Sequence, residues 1–328
     1  MRGITKVLVT GANGFVGKAL TQALLEGGIQ VRMTGQMRVE PLEAMGAEWF
    51  AMPDLGEDVD WRPALEGTDA VVHLAGIAHR MESVSVELAR LYDQVNHRAT
   101  RSLALATAAN ARIQRFLFVS SVRVHGDPVR LPVTRDSTLA PVTRYDQSKV
   151  DAELAIREVL SPEQVAWAIL RPVLVYGPGN RGNMQRLEGL LRHGIPVPVT
   201  RVPNRRSFLF IGNLVSAIQE YLSIQIPPSG KTWIVADGEV ASTERLIRAM
   251  ATGMGLPSKV IHLPSAILRG GARIGDFVGN FGMQFPWNSE VQQKLNGDFY
   301  VDISPLQEEL GWVPPISLES GVALTYQK

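Results

Sequence analysis

The chain has 328 residues, 45% hydrophobic and 20% charged, a globular balance that excludes disorder as the main state and suits one large domain or two unequal ones. Cysteine is absent, which excludes a disulfide framework, thiol catalysis, cysteine-ligated zinc and iron–sulfur clusters. The 33 basic and 32 acidic residues nearly cancel, so no global charge draws the chain to nucleic acid or anionic lipid; most of the basic residues are Arg, which suits bidentate phosphate and carboxylate contacts.

In chain order, Val7-Leu8-Val9 lies in a short apolar run ended by glycines, the pattern of a buried strand. A helix is expected over 14–27, where Phe15, Ala19, Leu20, Ala23 and Leu24 recur at helical spacing before Gly27-Gly28. Residues 29–34 and 47–52 read as the next strands, and 69–75 as another buried one. A long helix rich in Ala and Leu is expected over 82–109, a strand over 116–120, a charged amphipathic helix over 146–160 and a strand over 165–171. Strands alternating with helices predict an α/β fold, a Rossmann-type doubly wound parallel sheet. Only 3 of the 20 prolines precede residue 128, and the broken later chain predicts a smaller mixed α/β C-terminal region. The expected division is 1–177 and 178–328, with segments free to cross between the two. No run approaches the roughly 18 apolar residues of a membrane span. The start of the chain runs directly into a strand and a glycine turn, not a signal peptide. A cytoplasmic protein with neither membrane nor nucleic-acid partner is expected.

The first strand–helix junction is Thr10-Gly11-Ala12-Asn13-Gly14-Phe15-Val16-Gly17. Glycines there let the backbone approach a pyrophosphate closely, and the helix N-terminus offers N–H groups and a positive dipole. A glycine turn without a ligand is the alternative. The GxxGxxG spacing resembles the short-chain dehydrogenase/reductase superfamily, which implies that Gly11, Asn13, Gly14, Phe15, Val16 and Gly17 hold a dinucleotide. The acid that usually closes the second strand on the adenosine ribose is missing near Gly35. Arg32 and Arg38 stand nearby, either meeting a 2′-phosphate or solvated, so NADP is tolerated or preferred beside NAD. Asp54-Leu55 follow the third strand, where the superfamily often places an Asp beside the adenine; a helix cap is the alternative.

Tyr145 and Lys149 form YxxxK and share one face of the predicted helix. An ammonium beside a phenol lowers its pKa and lets tyrosine exchange a proton near neutral pH. Ser120-Ser121 ends the strand before it, at the sheet edge that faces a ligand crevice. A hydroxyl there can hold a carbonyl oxygen as it becomes negative. Glycine loop, Ser and YxxxK follow the superfamily's order.

Further stretches resemble the extended branch of the superfamily, the NAD-dependent epimerases and dehydratases. They are His73-Leu74-Ala75-Gly76, Asn96 with Ala99-Thr100, Ser120-Ser121-Val122-Arg123-Val124-His125-Gly126, LRPVLVYGPG ending at Gly179, RSFLFIGNL from Arg206, and Leu310-Gly311-Trp312-Val313-Pro314. The resemblance covers nearly the whole chain. It implies catalysis by Ser121, Tyr145 and Lys149, and cofactor contacts from Leu74, Ala75, Gly76, Asn96, Tyr145, Lys149 and Pro172. It also implies nucleotide-sugar contacts from His79, Ser121, Arg123, Asn183 and Arg206, and a homodimer built on helices 82–109 and 146–160. Leu174 replaces the Asn usual in epimerases, Arg144 and Asp146 replace a Pro and a Gly beside the tyrosine, His125 replaces a Tyr, and Ser207 replaces an Asp. The SSVRVHGD, RPVLVYGPG and NRRSFLFIGNL stretches are most similar to bacterial polysaccharide enzymes that reduce the 4-keto group of UDP-N-acetyl-4-keto-6-deoxyhexoses. The expected activity is thus an NAD(P)H-dependent 4-ketoreductase. A C4 epimerase with tightly bound NAD is the runner-up, and a non-catalytic NAD(P)-binding protein a third reading. His73 is expected to be a satisfied core histidine, and the histidine spacing predicts no metal.

Overall fold

Strands apolar on both faces cannot leave either face to water, so they require helices on both sides. The computed structural model describes residues 3–52, 55, 59–77, 86–127, 131–180, 183–279 and 287–327. In chain order it contains β1 (Lys6–Thr10), α1 (Phe15–Glu26), β2 (Gln30–Thr34), α2 (Glu40–Ala44), β3 (Glu48–Trp49), α3 (Arg62–Leu65), β4 (Ala70–His73), α4 (Val86–Tyr92), α5 (Ala99–Ala108), β5 (Arg115–Val119), α6 (Arg144–Val159) and β6 (Ala166–Pro172). There follow β7 (Leu174–Tyr176), α7 (Asn183–Arg192), β8 (Val197–Thr200), β9 (Arg206–Phe210), α8 (Ile211–Ser223), β10 (Lys231–Val235), β11 (Val240–Ala241) and α9 (Thr243–Gly253). The chain ends with β12 (Val260–Leu263), α10 (Ser265–Gly279), α11 (Ser289–Asn296), α12 (Ser304–Leu310) and α13 (Leu318–Tyr326).

The chain forms two compact units. The first takes Met1–Val173, Ile211–Val235 and Asp302–Pro314; the second takes Leu174–Phe210, Ala236–Val301 and Pro315–Lys328. Relative to a division at 177/178, residues 174–177, 211–235 and 302–314 lie on the other side.

The first unit is built on a seven-stranded sheet in the order β10-β6-β5-β4-β1-β2-β3. All six pairings are parallel. Strand order reverses between β1 and β4, the position where doubly wound sheets open a crevice at their C-terminal edges. One core joins Leu8, Val71, Phe116, Phe118, Trp167 and Ile169 of the sheet to Leu103 and Ala104 of α5 and Ala152 and Ile156 of α6. The second unit holds a small sheet β11-β9-β7 and a two-stranded sheet β12-β8. In it, Gly321 of α13 packs so closely that a Cβ would fall 2.7 Å from the Tyr176 hydroxyl and 2.8 Å from the Phe210 ring.

Two elements depart from the sequence expectation. The third strand is shorter than 47–52, covering only Glu48–Trp49. The helix expected over 82–109 is not a single α-helix: a π-helical stretch, Asp93–Arg98, joins α4 to α5. The wider turn leaves Asn96 buried within it.

His73 closes β4 and is fully buried. Its ring lies 2.7 Å from the Thr10 hydroxyl through Nδ1 and 2.8 Å from the Thr100 hydroxyl through Nε2. Thr100 donates its own proton to the Asn96 carbonyl at 2.6 Å. Nε2 must therefore carry the hydrogen and donate to Thr100, while Nδ1 accepts from Thr10. Thr10 Oγ1 in turn accepts the N–H groups of Leu74 and Ala75, both at 3.1 Å. The relay has no place for a second ring proton, and burial, with the Lys149 charge, pulls the His73 pKa down to about 3.

A histidine neutral in the fold and free to protonate once unfolded leaves stability intact above pH 6.5 and removes it as pH falls toward 3. Lowering pH from 7 to 5 should cost about 2 kcal/mol of unfolding free energy through His73. His125, whose pKa burial also lowers, adds to the same slope. Urea denaturation at the two pH values should show a smaller drop in His73→Gln than in the unsubstituted protein. An equal drop would show that His73 accepts a proton in the fold.

Candidate active site

The glycine loop has the shape of a cradle. Gly11 has φ of +67°, and a Cβ on it would lie 2.8 Å from the Ala75 backbone. A Cβ on Gly17 would lie 2.2 Å from the Gly11 carbonyl. No side chain caps α1, whose N-cap is Gly14, so its first N–H groups face outward for an anion. Phe15 and Val16, partly buried, open that helix. Backbone without side chains and an uncapped helix end fit the pyrophosphate of a dinucleotide.

The end of β2 meets this loop. A Cβ on Gly35 would lie 2.2 Å from the Asn13 carboxamide oxygen, so an acid at position 35 would have to displace Asn13. Arg32 corrects the sequence expectation. Its guanidinium is turned inward, donating to the carbonyls of Pro63, Ala64 and Glu66 at 2.7–3.0 Å and pairing with Glu48 at 2.9 Å. It cannot meet a 2′-phosphate. Arg38 is exposed and paired with Glu43. Leu55 packs, partly buried, against the core, and Asp54 lies outside the described residues.

Leu74 and Ala75 leave β4 held by Thr10, and Gly76 follows, where a Cβ would lie 3.0 Å from Asn96 Oδ1 and 3.4 Å from Lys149 Nζ. Asn96 Oδ1 accepts from the Ile77 N–H at 2.7 Å, and Nδ2 donates to the Ile77 carbonyl at 3.2 Å and to Ser148 Oγ at 3.0 Å. Ser148 donates to the Tyr145 carbonyl at 2.8 Å. The Asn96 carboxamide thus ties the β4 exit to the first turn of α6.

That turn is fixed by a capping box. Thr143 Oγ1 accepts from the Asp146 N–H and Asp146 accepts from the Thr143 N–H. Tyr145 is the second residue of α6, its phenol beside Ser121 and edge-on to Tyr92 at 6.0 Å. Ser121 ends the chain that leaves β5, caps the 3₁₀ turn Val122–His125 and accepts the Arg123 N–H at 3.2 Å. Burial pushes the Tyr145 phenol up to about 12; the Ser121 hydrogen bond and Arg123 oppose this, while Asp146 and Tyr92 reinforce it. The phenol expected to fall beside an ammonium is therefore raised, because desolvation outweighs the charges around it. Lys149 is buried as well, and its ammonium is pulled down to about 8 by burial, against the charge of Glu153. Its Nζ donates to the Val119 carbonyl at 3.3 Å and lies 4.7 Å over the Phe118 ring.

Beneath these residues lies a buried polar network that sequence reasoning missed. Arg171 grips Glu153 with Nε–Oε1 at 3.0 Å and Nη2–Oε2 at 2.5 Å. Ser120 Oγ donates to the same carboxylate at 2.6 Å. Arg171 Nη1 reaches His125 Nε2 and the Arg135 carbonyl, both at 3.1 Å. The signal was present: an Arg inside the apolar strand Ala166–Pro172 must find a buried acid. Pro172 follows it, buried at the end of β6.

Within the second unit, Arg206 Nη1 donates to the Gly297 carbonyl at 3.0 Å, and burial lowers its pKa against the charge of Asp298. Ser207 Oγ accepts the Val301 N–H at 3.2 Å. Asn183 opens α7, though its side chain is not among those described, and His79 lies outside the described residues.

The profile of the NAD dependent epimerase/dehydratase family matches residues 7–235. A UDP-glucose 4-epimerase of Vibrio cholerae is 31% identical over 325 residues, 98% of this chain and 94% of that one. An N-acetyl-α-D-glucosaminyl-diphospho-ditrans,octacis-undecaprenol 4-epimerase of Escherichia coli O157:H7 is 26% identical over 98% of this chain and 94% of its own. Among solved structures, the UDP-glucuronic acid 4-epimerase of Bacillus cereus, in complex with UDP-glucuronic acid and NAD, superposes with a TM-score of 0.76 at 22% identity, covering 98% of each chain.

Removing one partner of a buried ion pair leaves the other charge stranded, which costs about 3–5 kcal/mol. Glu153→Ala should lower the urea midpoint accordingly. The double substitution Glu153→Leu with Arg171→Met should recover part of the loss. A single-variant loss below about 1 kcal/mol would mean that water reaches the pair.

Proposed function

The chain belongs to the NAD dependent epimerase/dehydratase family, and from that premise we propose that it is a nucleotide-sugar 4-epimerase. The observation that carries the reading is the placement of Ser121 beside the buried Tyr145 phenol, with Lys149 one helical turn on, at the C-terminal edge of a sheet whose glycine loop suits a dinucleotide. Its support in the comparisons is the full-length relationship to a UDP-glucose 4-epimerase.

Bound at the glycine loop, NAD would supply an acceptor and a donor of hydride for C4 of the sugar. The remaining work falls to this chain's own groups. As the phenolate, Tyr145 takes the proton of the 4-hydroxyl while C4 is oxidised, and as the phenol it returns that proton when C4 is reduced from the other face. Ser121 hydrogen-bonds the same oxygen and holds its developing charge. Lys149, anchored on the Val119 carbonyl and the Phe118 ring, keeps a positive charge near Gly76. We assign Arg206 and Asn183 to the diphosphate, and Arg123 and His79 to the sugar.

A second reading is the 4-ketoreductase, which uses the same three residues. Two observations favour it: Gly35 leaves the adenosine ribose without its usual carboxylate, and Leu174 offers no polar contact near a sugar. An epimerase keeps its cofactor through both half-reactions, whereas a reductase exchanges it. The deciding experiment is to denature the purified protein, assay released NAD and incubate fresh enzyme with UDP-glucose, UDP-N-acetylglucosamine, UDP-glucuronic acid and 4-keto sugar nucleotides. Near-unit NAD with interconversion of 4-epimers supports the epimerase. Net consumption of added NADH or NADPH with a 4-keto substrate supports the reductase.

Two further outcomes follow from the assignment. Tyr145→Phe should reduce turnover at least about a hundredfold, the scale of a lost general acid, while NAD binding survives. Near-normal turnover would end the role given to Tyr145. We also propose a homodimer through α5 and α6, which expose Leu105 and Leu154. Leu154→Glu should shift the mass seen by light scattering at micromolar concentration from dimer to monomer, and a monomer before substitution would exclude that interface.

A further inference from the structure

One half of the charge pair beside the tyrosine departs from the resemblance that located the site. Asp146 stands where a glycine is usual, directly after Tyr145. Arg123 sits two residues beyond Ser121, and its own N–H is the group donated to the Ser121 hydroxyl. The two side chains meet at 3.2 Å, Nη2 to Oδ2. We propose that Arg123 and Asp146 form a matched pair of positioning residues that holds the Ser121–Tyr145 hydroxyl pair and sets how readily Tyr145 exchanges its proton, an inference that rests on the catalytic role proposed above for Tyr145.

The geometry of Asp146 is unusual for a residue that only caps a helix. Its Oδ2 accepts the N–H groups of Thr143 at 3.0 Å and Val142 at 3.3 Å as well as Arg123. Its Oδ1 is buried with no hydrogen-bond partner among the described residues. Only 1% of the residue is exposed. A bare carboxylate oxygen in the interior is costly, and its charge acts on whatever lies beside it with little screening. Beside it lies the phenol. The groups that face Tyr145 are Ser121 after β5, Tyr92 of α4, Arg123 of the 3₁₀ turn, and Asp146 of α6 itself, with Lys149 one turn further along. Of these, Asp146 opposes ionisation of the phenol and Arg123 favours it.

The pair is also asymmetric. Asp146 is fixed by backbone, while Arg123 is half-exposed, its outer nitrogen 3.8 Å from Asp127. Without Asp146 the guanidinium would be free to turn to Asp127 and solvent, away from the hydroxyls. The anion therefore does two things: it weakens the phenol as an acid, and it keeps the compensating cation in place.

The test reads Tyr145 directly. The chain has 6 tyrosines. Replacing them globally with 3-fluorotyrosine, a more acidic phenol, brings ionisation into an accessible pH range, and Tyr145→Phe identifies the resonance by its loss from the ¹⁹F spectrum. With NAD added, the midpoint of that resonance should rise by about one pH unit in Arg123→Gln and fall by about one in Asp146→Asn, whose carboxamide oxygen can still accept from Arg123 and keep it in place, the scale for loss of one neighbouring charge. Arg123→Lys should restore most of the wild-type midpoint. The turnover pH profile of each variant should move in the same direction as its midpoint. Unmoved midpoints, or midpoints that move the same way in both variants, would overturn the proposal and leave the pair a structural cap. Because the resonance is read without turnover, a protein that converts no sugar nucleotide would end the proposed function, and the midpoints would still show whether the pair governs the phenol. Should Asp146→Asn not fold, Arg123→Gln and Arg123→Lys carry the test alone.

Discussion

A carboxylate and a guanidinium buried against each other hold the C-terminal edge of the sheet around Ser121, Tyr145 and Lys149. Glu153 and Arg171 come from α6 and β6, and their desolvation is offset only by complete hydrogen bonding. That requirement organises their surroundings. Ser120 at the end of β5, His125 in the 3₁₀ turn and the Arg135 carbonyl each satisfy one remaining donor or acceptor. Three segments that apolar packing alone would leave free to slide are thereby brought to one point. Ser121 follows Ser120 directly, and Lys149 lies one helical turn before Glu153, so both inherit their positions from the pair. The same carboxylate supports the charge of the buried Lys149.

The other side of the crevice is held by a neutral relay. Hydrogen bonds run from the Leu74 and Ala75 N–H groups through Thr10, His73 and Thr100 to the Asn96 carbonyl, and the backbone of Ala75 is what Gly11 packs against. One relay is ionic and the other uncharged, and both end on backbone rather than on a ligand. Such a site is organised before anything binds, so little rearrangement opposes the reaction.

Much of the first unit is legible in the sequence because its signals are local. Apolar runs bounded by glycines mark β1 and β4, GxxGxxG marks the cradle, and YxxxK marks one face of α6. The features that are not legible depend on tertiary context. Arg32 looks like a residue near a ribose until the carbonyls at the end of α3 claim it. The sequence carries no sign that a π-helical turn brings the Asn96 carboxamide to Ile77 and Ser148. The missing acid at Gly35 reads as a statement about cofactor choice, whereas the Asn13 side chain already fills the space a Cβ would need. The phenol of Tyr145 responds to burial more than to the ammonium that sequence spacing sets beside it.

The interleaving of the two units has a consequence in time. β10 adds to β6 only after β7, β8 and β9 have been made, and Glu309 of α12 then accepts from the Trp233 indole of β10 at 2.9 Å and from Arg135 at 2.7 Å. Trp312 reaches back to Ser216 of α8 at 3.1 Å. A nascent chain that has just released β6 still exposes that strand as an open parallel edge, the kind of edge that recruits other chains. The strand that covers β6 is therefore added only after the first segment of the second unit, Leu174–Phe210, has been made. Interruption of translation after the glycine loop, YxxxK and β6 have emerged would leave Ser121, Tyr145 and Lys149 on a sheet whose β6 edge is still uncovered.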